Sequence, residues 1–337
     1  MTKDLPTIAI TIGDPSGIGP EVVVKSLSDP KVYGVCRPLV VGNIFAMNQA
    51  VEVTGLPITI NAISDPRLAG DNPNIIDVLD IHNLNPEDIT VGDISVPCGK
   101  AAMEWVTEAG NLALSGTVQG IATAPLNKEA ASLAGYQAIG HMELLQELSQ
   151  AETVGTMLLA KNLRVVHLTT HRSLKIACEY VKKERISNYL KLTHDSFKQW
   201  GFQTPRIGVA ALNPHGSDGG LLGTEESEEI APAVIEARSK GINAIGPIPA
   251  DIIFHQAIND EYDVVLAMFH DQGHIPVKVY GFEESITANL GLPFVRTSVD
   301  HGTAFDIAGK GIADPTSMLE SIRLAVGLAM GQGLTGF

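Results

Sequence analysis

Strand-length apolar runs alternate with segments whose apolar residues recur at helical spacing, and this alternation constrains the chain more than any other feature. Thr7–Ile12 reads as a strand and Pro20–Leu27 as the helix after it; Pro38–Val41 is a strand and Ile44–Val53 a helix. Residues Ala101–Thr117 carry helical periodicity and Gly120–Ala124 is again a strand, while Leu163–Thr170, Arg206–Leu212 and Val264–Phe269 are apolar runs that end in polar residues. Strands joined through helices form right-handed crossovers and a mainly parallel sheet covered on both faces. The expected class is therefore α/β. Ligands of such sheets bind where the strands end at their carboxyl edge, so the polar tails are where chemistry is to be sought.

The chain has 337 residues, of which 45% are hydrophobic and 18% charged, enough for two domains and a sizeable core. Its formal net charge of -15 argues against a nucleic-acid partner, because such a partner requires a basic face. The three cysteines, Cys36, Cys98 and Cys178, are widely spaced and form no C-x-x-C, which argues against disulfide stapling and thiolate zinc sites. The opening MTKDLPTIAITIGDP does not read as a signal peptide, and no apolar stretch reaches membrane-spanning length. A cytoplasmic protein with no membrane partner is expected.

Three of the apolar runs lead into histidines: His171 after Thr169-Thr170, His215 within Asn213-Pro214-His215-Gly216, and His270 before Asp271-Gln272-Gly273. Three imidazoles at one sheet edge suit a borderline divalent ion with open positions for substrate. A histidine at a strand end is also an ordinary loop residue, and spacing alone leaves both readings open. His167 and His171 are four apart, as are His270 and His274, a spacing that aligns side chains only on a helix. His167 lies in a strand-like run, and His274 is read as lying in a glycine-containing turn in a structural or orienting role. His82, His194 and His255 belong to no motif.

Two glycine-rich segments stand out. The first strand runs into Gly13-Asp14-Pro15-Ser16-Gly17-Ile18-Gly19-Pro20-Glu21, which is not the G-x-G-x-x-G of a Rossmann site. Late in the chain, Ser298–Pro315 is long and glycine-rich, and a helix is expected from about Thr316.

GDPSGIGPE and HGTAFDIAGKGIADP resemble the matching segments of isocitrate and isopropylmalate dehydrogenases, in which the late loop wraps the adenosine part of the cofactor on a fold that is not Rossmann. Those enzymes hold their metal with aspartates. TAPLNK at Thr123–Lys128, GHMELL at Gly140–Leu145, TTH ending at His171, NPHGSDGG at Asn213–Gly220, PADIIF at Pro249–Phe254, HDQGHIPVK at His270–Lys278 and LGLPFVRTSVDHGTA at Leu290–Ala304 together resemble the 4-hydroxythreonine-4-phosphate dehydrogenase (PdxA) family, over nearly the whole chain. The resemblance implies two α/β/α domains of the isocitrate/isopropylmalate dehydrogenase type: residues 1–127 with 282–337, carrying the cofactor loop, and residues 128–281, carrying the metal ligands. It also implies a homodimer with an active site shared between subunits.

By the same resemblance, His171, His215 and His270 hold a divalent metal, zinc foremost, with magnesium, manganese or cobalt as alternatives. His141, Met142, Lys278, Thr287 and Arg296 contact a small phosphorylated substrate. Gly13, Asp14, Gly17, Gly19, His301, Gly302 and Asp306 bind NAD, or alternatively NADP. Asp251 and Asp271 are candidates to take a proton or to orient a ligating histidine, and Lys128 is a further catalytic candidate. Two positions depart from the family pattern: Met142 replaces a usual Thr, and Thr287 a usual Asn. Thr→Met removes a hydroxyl and adds an apolar thioether. This argues against the amino substrate of pyridoxal phosphate biosynthesis, and TAPLNKEA and HDQGHIPVK resemble more the branch that oxidises, and is expected to decarboxylate, 4-phospho-D-threonate or 4-phospho-D-erythronate. A metal-dependent hydrolase or aldolase is the rival class, and the late loop disfavours it.

Overall fold

In the computed structural model, which describes residues 5–138 and 140–334, the apolar runs are strands whose side chains are almost all buried. In chain order the strands are β1 (Thr7–Thr11), β2 (Arg37–Val41), β3 (Thr59–Ile63), β4 (Ile75–Leu79), β5 (Gly120–Thr123), β6 (Gly155–Ala160), β7 (Leu163–His167), β8 (Ile207–Ala210), β9 (Ala244–Ile248), β10 (Val264–Ala267), β11 (Ile286–Leu290) and β12 (Val295–Val299). The helices are α1 (Gly19–Leu27), α2 (Pro30–Tyr33), α3 (Ile44–Thr54), α4 (Val96–Leu114), α5 (Lys128–Leu133), α6 (His141–Ser149), α7 (Leu174–Glu179), α8 (Lys183–Gln199), α9 (Ala231–Ser239), α10 (Ala250–Ile258), α11 (His270–Tyr280) and α12 (Thr316–Ala329).

The chain divides into two compact units, one running to Glu152 and resuming at Leu292, the other spanning Thr153–Gly291. In the first, the strand order is β3-β4-β2-β1-β5-β12 and every neighbouring pair is parallel. Ile8, Ile10, Leu39, Val40, Ile76 and Ile121 are buried on this sheet. Each such side chain contributes roughly 1.5–3 kcal/mol of apolar burial. Polar caps set the helix starts: the side chains of Asn43, Ser95 and Asn127 accept from amides in the first turns of α3, α4 and α5.

The second unit has the order β11-β6-β7-β10-β8-β9. Its pairs are parallel from β7 to β9, but β6 runs antiparallel to both β7 and β11. β6 and β7 are joined at Lys161-Asn162, with Lys161 at φ 54°, the left-handed geometry a two-residue hairpin demands. Leu158, Leu163, Val165, Ala210, Ile253, Val265 and Val277 form the core. No helix among the described residues is long and apolar enough to cross a membrane.

Two expectations need correction. The domain limits at 127/128 and 281/282 shift, because α5 and α6 pack on α4 of the first unit and β11 pairs with β6 of the second; the terminal residues 1–4 and 335–337 assigned to the first domain lie outside the described residues. His274 is not in a turn. Gly273 and Pro276 mask a helix in the sequence, yet α11 runs through both.

Candidate active site

In the first unit, β1 delivers the chain into the early glycine-rich loop. Gly13 sits at φ 66° so close to strand β5's exit that a Cβ would lie 2.1 Å from the Pro125 carbonyl oxygen. Asp14 follows with its amide donating to the same carbonyl at 2.9 Å and its Oδ1 accepting from the Ser16 amide. Its carboxyl is fully buried, which raises its pKa to about 6 against the lowering effect of the Ser16 amide. Asp14 Oδ2 and the Ser16 hydroxyl have no hydrogen-bond partner among the described residues.

The late loop closes over the early one. The Ile18 amide donates to the Thr303 carbonyl, and Gly17 lies against Thr303 with no room for a Cβ. Farther along, Glu21 of α1 accepts from Lys25 Nζ at 2.8 Å and from the Ala313 amide at 2.7 Å, while Lys25 also donates to the carbonyls of Gly311 and Ala313. Both ends of the loop are thus fastened to the start of α1, and Gly19 opens that helix. His301 and Gly302 precede the first fastening, Asp306 lies between the two, and all three are exposed.

The same unit gathers cations. Arg296, on β12, is buried and donates from Nη2 to the Thr123 hydroxyl at 2.6 Å. Burial pushes its pKa down to about 9, and Glu143 opposes the shift. His141, the first residue of α6, has its pKa held well below the usual imidazole range by burial and by the charges of Arg296 and Lys128. Its Nε2 is buried without a hydrogen-bond partner among the described residues. Met142 follows in the first turn of α6. A guanidinium, a lysine and a helix N-terminus are groups that could hold an anion, beside the carboxylate of Glu143.

In the second unit, β7 and β10 lead to histidines on neighbouring strands. The rings of His171 and His270 are 5.8 Å apart, and both side chains line a cleft of about 380 Å³ with Thr170, Arg172, Phe269 and Asp271. Asp271 Oδ1 lies 2.7 Å from His270 Nδ1. That contact directs Nε2 toward any ligand and fits the orienting role of Asp271 better than proton acceptance.

His215 stands on an unusual support. His215, Gly216, Ser217, Asp218, Gly219 and Gly220 all have φ between 45° and 99°, a left-handed turn in which each non-glycine residue costs roughly 1–2 kcal/mol. The turn is held at its base by Glu226, buried in a π-helical segment, whose carboxylate accepts from the amides of Leu212 and Asn213 and from Asn213 Nδ2. His215 Nδ1 lies 3.2 Å from Asp218 Oδ2, again leaving Nε2 as the outward nitrogen. Among the described residues no three His, Cys, Asp or Glu side chains of one chain converge closely enough to complete a metal site. His171 and His270 meet; His215 does not join them within one chain. The imidazoles of His171 and His270 are donors that fit a borderline divalent ion, and His215 is a donor of the same kind; the Nδ1 atoms of His215 and His270 each face a carboxylate.

Lys278 lies on α11, donating to the Ser285 hydroxyl at 2.7 Å with its ammonium over the Phe282 ring. Thr287 is half-buried on β11, and the adjacent same-face Asn289 is buried, its Nδ2 toward the Gly155 carbonyl. Asp251, in the first turn of α10, is exposed. Sequence reasoning missed two contributors: His167, hidden because an apolar strand gives no sign of which ring it will touch, and Glu226, for which no local pattern exists.

A family model, "Pyridoxal phosphate biosynthetic protein PdxA", matches residues 34–325. The D-threonate 4-phosphate dehydrogenase of Cupriavidus necator is 44% identical over 330 residues, covering 98% of this chain and 99% of its own. Crystal structures named 4-hydroxythreonine-4-phosphate dehydrogenase superpose closely: that from Klebsiella pneumoniae has a TM-score of 0.91 at 41% identity, covering 98% of this chain and 99% of its own. That from Burkholderia phymatum has a TM-score of 0.86 at 43% identity, covering 96% and 98%. The chain belongs to the PdxA family.

Proposed function

We propose that this PdxA-family dehydrogenase oxidises the hydroxyl of a 4-phosphorylated four-carbon acid, 4-phospho-D-threonate or 4-phospho-D-erythronate, using a divalent metal and NAD or NADP. The observation that carries the reading is the convergence of the buried Arg296 guanidinium, Lys128 and the neutral imidazole of His141 at the start of α6, with Glu143 as a nearby acid. Arg296 offers a planar fork to a phosphate or carboxylate, and Lys128 a point charge. The curated relative from Cupriavidus necator supports the choice of acid, and so does Met142, which presents a thioether where a hydroxyl would bond a polar substituent.

His171 and His270 of one chain and His215 would hold the metal, zinc foremost. Bound there, such an ion would supply Lewis acidity at the substrate hydroxyl, and NAD or NADP would supply the hydride acceptor. Asp271 and Asp218 keep their histidines in the tautomer that presents Nε2. The fastened late loop, with His301, Gly302 and Asp306 exposed, supports its use as the adenosine site. The oxidised acid would lose CO₂ readily if the new ketone lies β to its carboxylate.

A homodimer that completes the metal site is part of the proposal. Its support is twofold: the three histidines do not assemble in one chain, and α11 carries an exposed apolar stripe, Ile275, Val279 and then Phe282 beyond its end. The free cysteines suit a reducing cytoplasm.

The amino substrate, 4-hydroxythreonine 4-phosphate, is the second reading, favoured by the names of the superposing crystal structures. Purified protein with zinc or manganese and NAD⁺ or NADP⁺ is offered each phosphorylated four-carbon acid and the amino analogue, and absorbance of the reduced cofactor is followed. Reduction with the hydroxy acids ahead of the amino analogue is expected. Absence of reduction with every phosphorylated acid overturns the proposal.

A further inference from the structure

Three histidine rings, His167, His274 and His270, form one connected group. His167 is the last residue of β7 and is 1% exposed. Its Nε2 lies 3.1 Å from Nδ1 of His274 on α11. The ring of His274 in turn lies parallel to that of His270, with centroids 3.6 Å apart and planes inclined by 12°. The Nδ1 of His274 is also 3.2 Å from the His270 carbonyl one turn back.

We infer that His167 and His274 are positioning residues that fix the ring plane of His270, the outermost member of the group. The inference rests on the reading of His270 as a metal ligand. A histidine at the first position of a helix, half-exposed as His270 is, has free rotation about its Cβ–Cγ bond unless something holds both edge and face. Asp271 holds the edge at Nδ1. The His274 ring holds the face. His274 is held by His167, whose ring is buried at the end of β7 where that strand pairs in register with β10 at Ala267. The close fit explains the glycine in the middle of α11. A Cβ at Gly273 would sit 2.3 Å from His167 Nε2 and 2.7 Å from Val165. Orientation therefore passes from a strand in the core, through two rings, to a side chain at the cleft. A purely space-filling role would ask only for aromatic bulk at these positions. Outer partners of metal-ligating histidines commonly change metal affinity by 10–100-fold.

The test compares Co²⁺ binding by the wild-type protein, His274→Phe, His274→Ala and His167→Gln, using chelator competition and the visible absorption of bound Co²⁺, with thermal melting as the folding control. Wild-type protein is expected to bind Co²⁺ stoichiometrically. His274→Ala should weaken Co²⁺ binding by about 10–100-fold and alter the absorption bands while the protein stays folded. His274→Phe, which keeps the ring face and loses the nitrogen contact to His167, should fall between wild type and His274→Ala. Unchanged affinity and spectrum in folded His274→Ala overturn the inference while the metal reading stands. Should His167→Gln fail to fold, the two partly exposed His274 variants still decide the matter. A wild-type protein that binds no Co²⁺ overturns the metal reading itself, and the inference with it.

Discussion

Arg296 on β12 donates to the Thr123 hydroxyl at the end of β5, 2.6 Å away on the neighbouring parallel strand. The contact spends one of five guanidinium donors and fixes the plane of the rest. Lysine offers neither the fork nor the fixed plane. Arg296→Lys is therefore expected to raise KM for the phosphorylated acid by about tenfold or more, with a smaller change in kcat. Steady-state kinetics against that acid decide it, and an unchanged KM removes Arg296 from the anion site.

Glu21 ties the late loop to α1 through Lys25 and two loop amides. Glu21→Gln keeps the shape but weakens the charged contacts of a nearly buried group, at a cost of about 1–3 kcal/mol. The expected pattern is a lower melting temperature and a raised KM for the dinucleotide, with KM for the acid unchanged. Equal effects on both Michaelis constants would argue against the late loop as the cofactor's site.

Much of this was legible in the sequence. The runs read as β1, β2, β5, β7, β8 and β10 are strands because buried parallel strands are continuous and apolar, a strong one-dimensional signal. β6 escaped because the hairpin that joins it to β7 turns at Lys161-Asn162, which lacks the usual hairpin residues, and β11 because its antiparallel partner β6 is distant in sequence. α11 escaped for another reason. Gly273 and Pro276 are helix-breaking by local propensity, and it is the tertiary contact with His167 that requires the glycine. The strand-end positions of His171 and His270 followed from periodicity; the left-handed turn under His215 did not, because the buried Glu226 that braces it lies beyond the motif.

A site assembled from two copies has a distinctive signature. His215→Ala and His270→Ala should each abolish turnover alone and lower bound metal. Mixed, unfolded and refolded together, they form heterodimers in which one of the two sites is intact, so about a quarter of wild-type activity should return. Refolding that yields dimers yet no recovered activity would place His215 and His270 of one site in the same chain.

Met142 occupies the first turn of α6 beside His141. Met142→Thr restores a hydroxyl there, and one hydrogen bond of about 1 kcal/mol corresponds to roughly fivefold in kcat/KM. The ratio of kcat/KM for 4-hydroxythreonine 4-phosphate over 4-phospho-D-threonate should rise by about that factor. A ratio that stays constant would show that position 142 does not set the preference.

Asp14 predicts a pH dependence of stability. Its carboxyl titrates at 3.8 in the absence of the fold and at about 6 within it, because burial penalises the charge. The folded chain therefore holds an extra proton between these values. The stability this contributes is complete below pH 3.8 and is lost as pH rises through about 6, amounting to about 3 kcal/mol between the two limits. Asp14→Asn keeps an oxygen to accept from the Ser16 amide and carries no charge. Urea unfolding should find it close to wild type at pH 4 and more stable at pH 8. Parallel curves at every pH would mean that Asp14 is not held against its charge. A variant that gains stability at pH 8 but binds NAD⁺ more weakly would identify the buried carboxylate as a group kept for the cofactor at the expense of the fold, since sites that must meet a ligand are where such unfavourable groups persist.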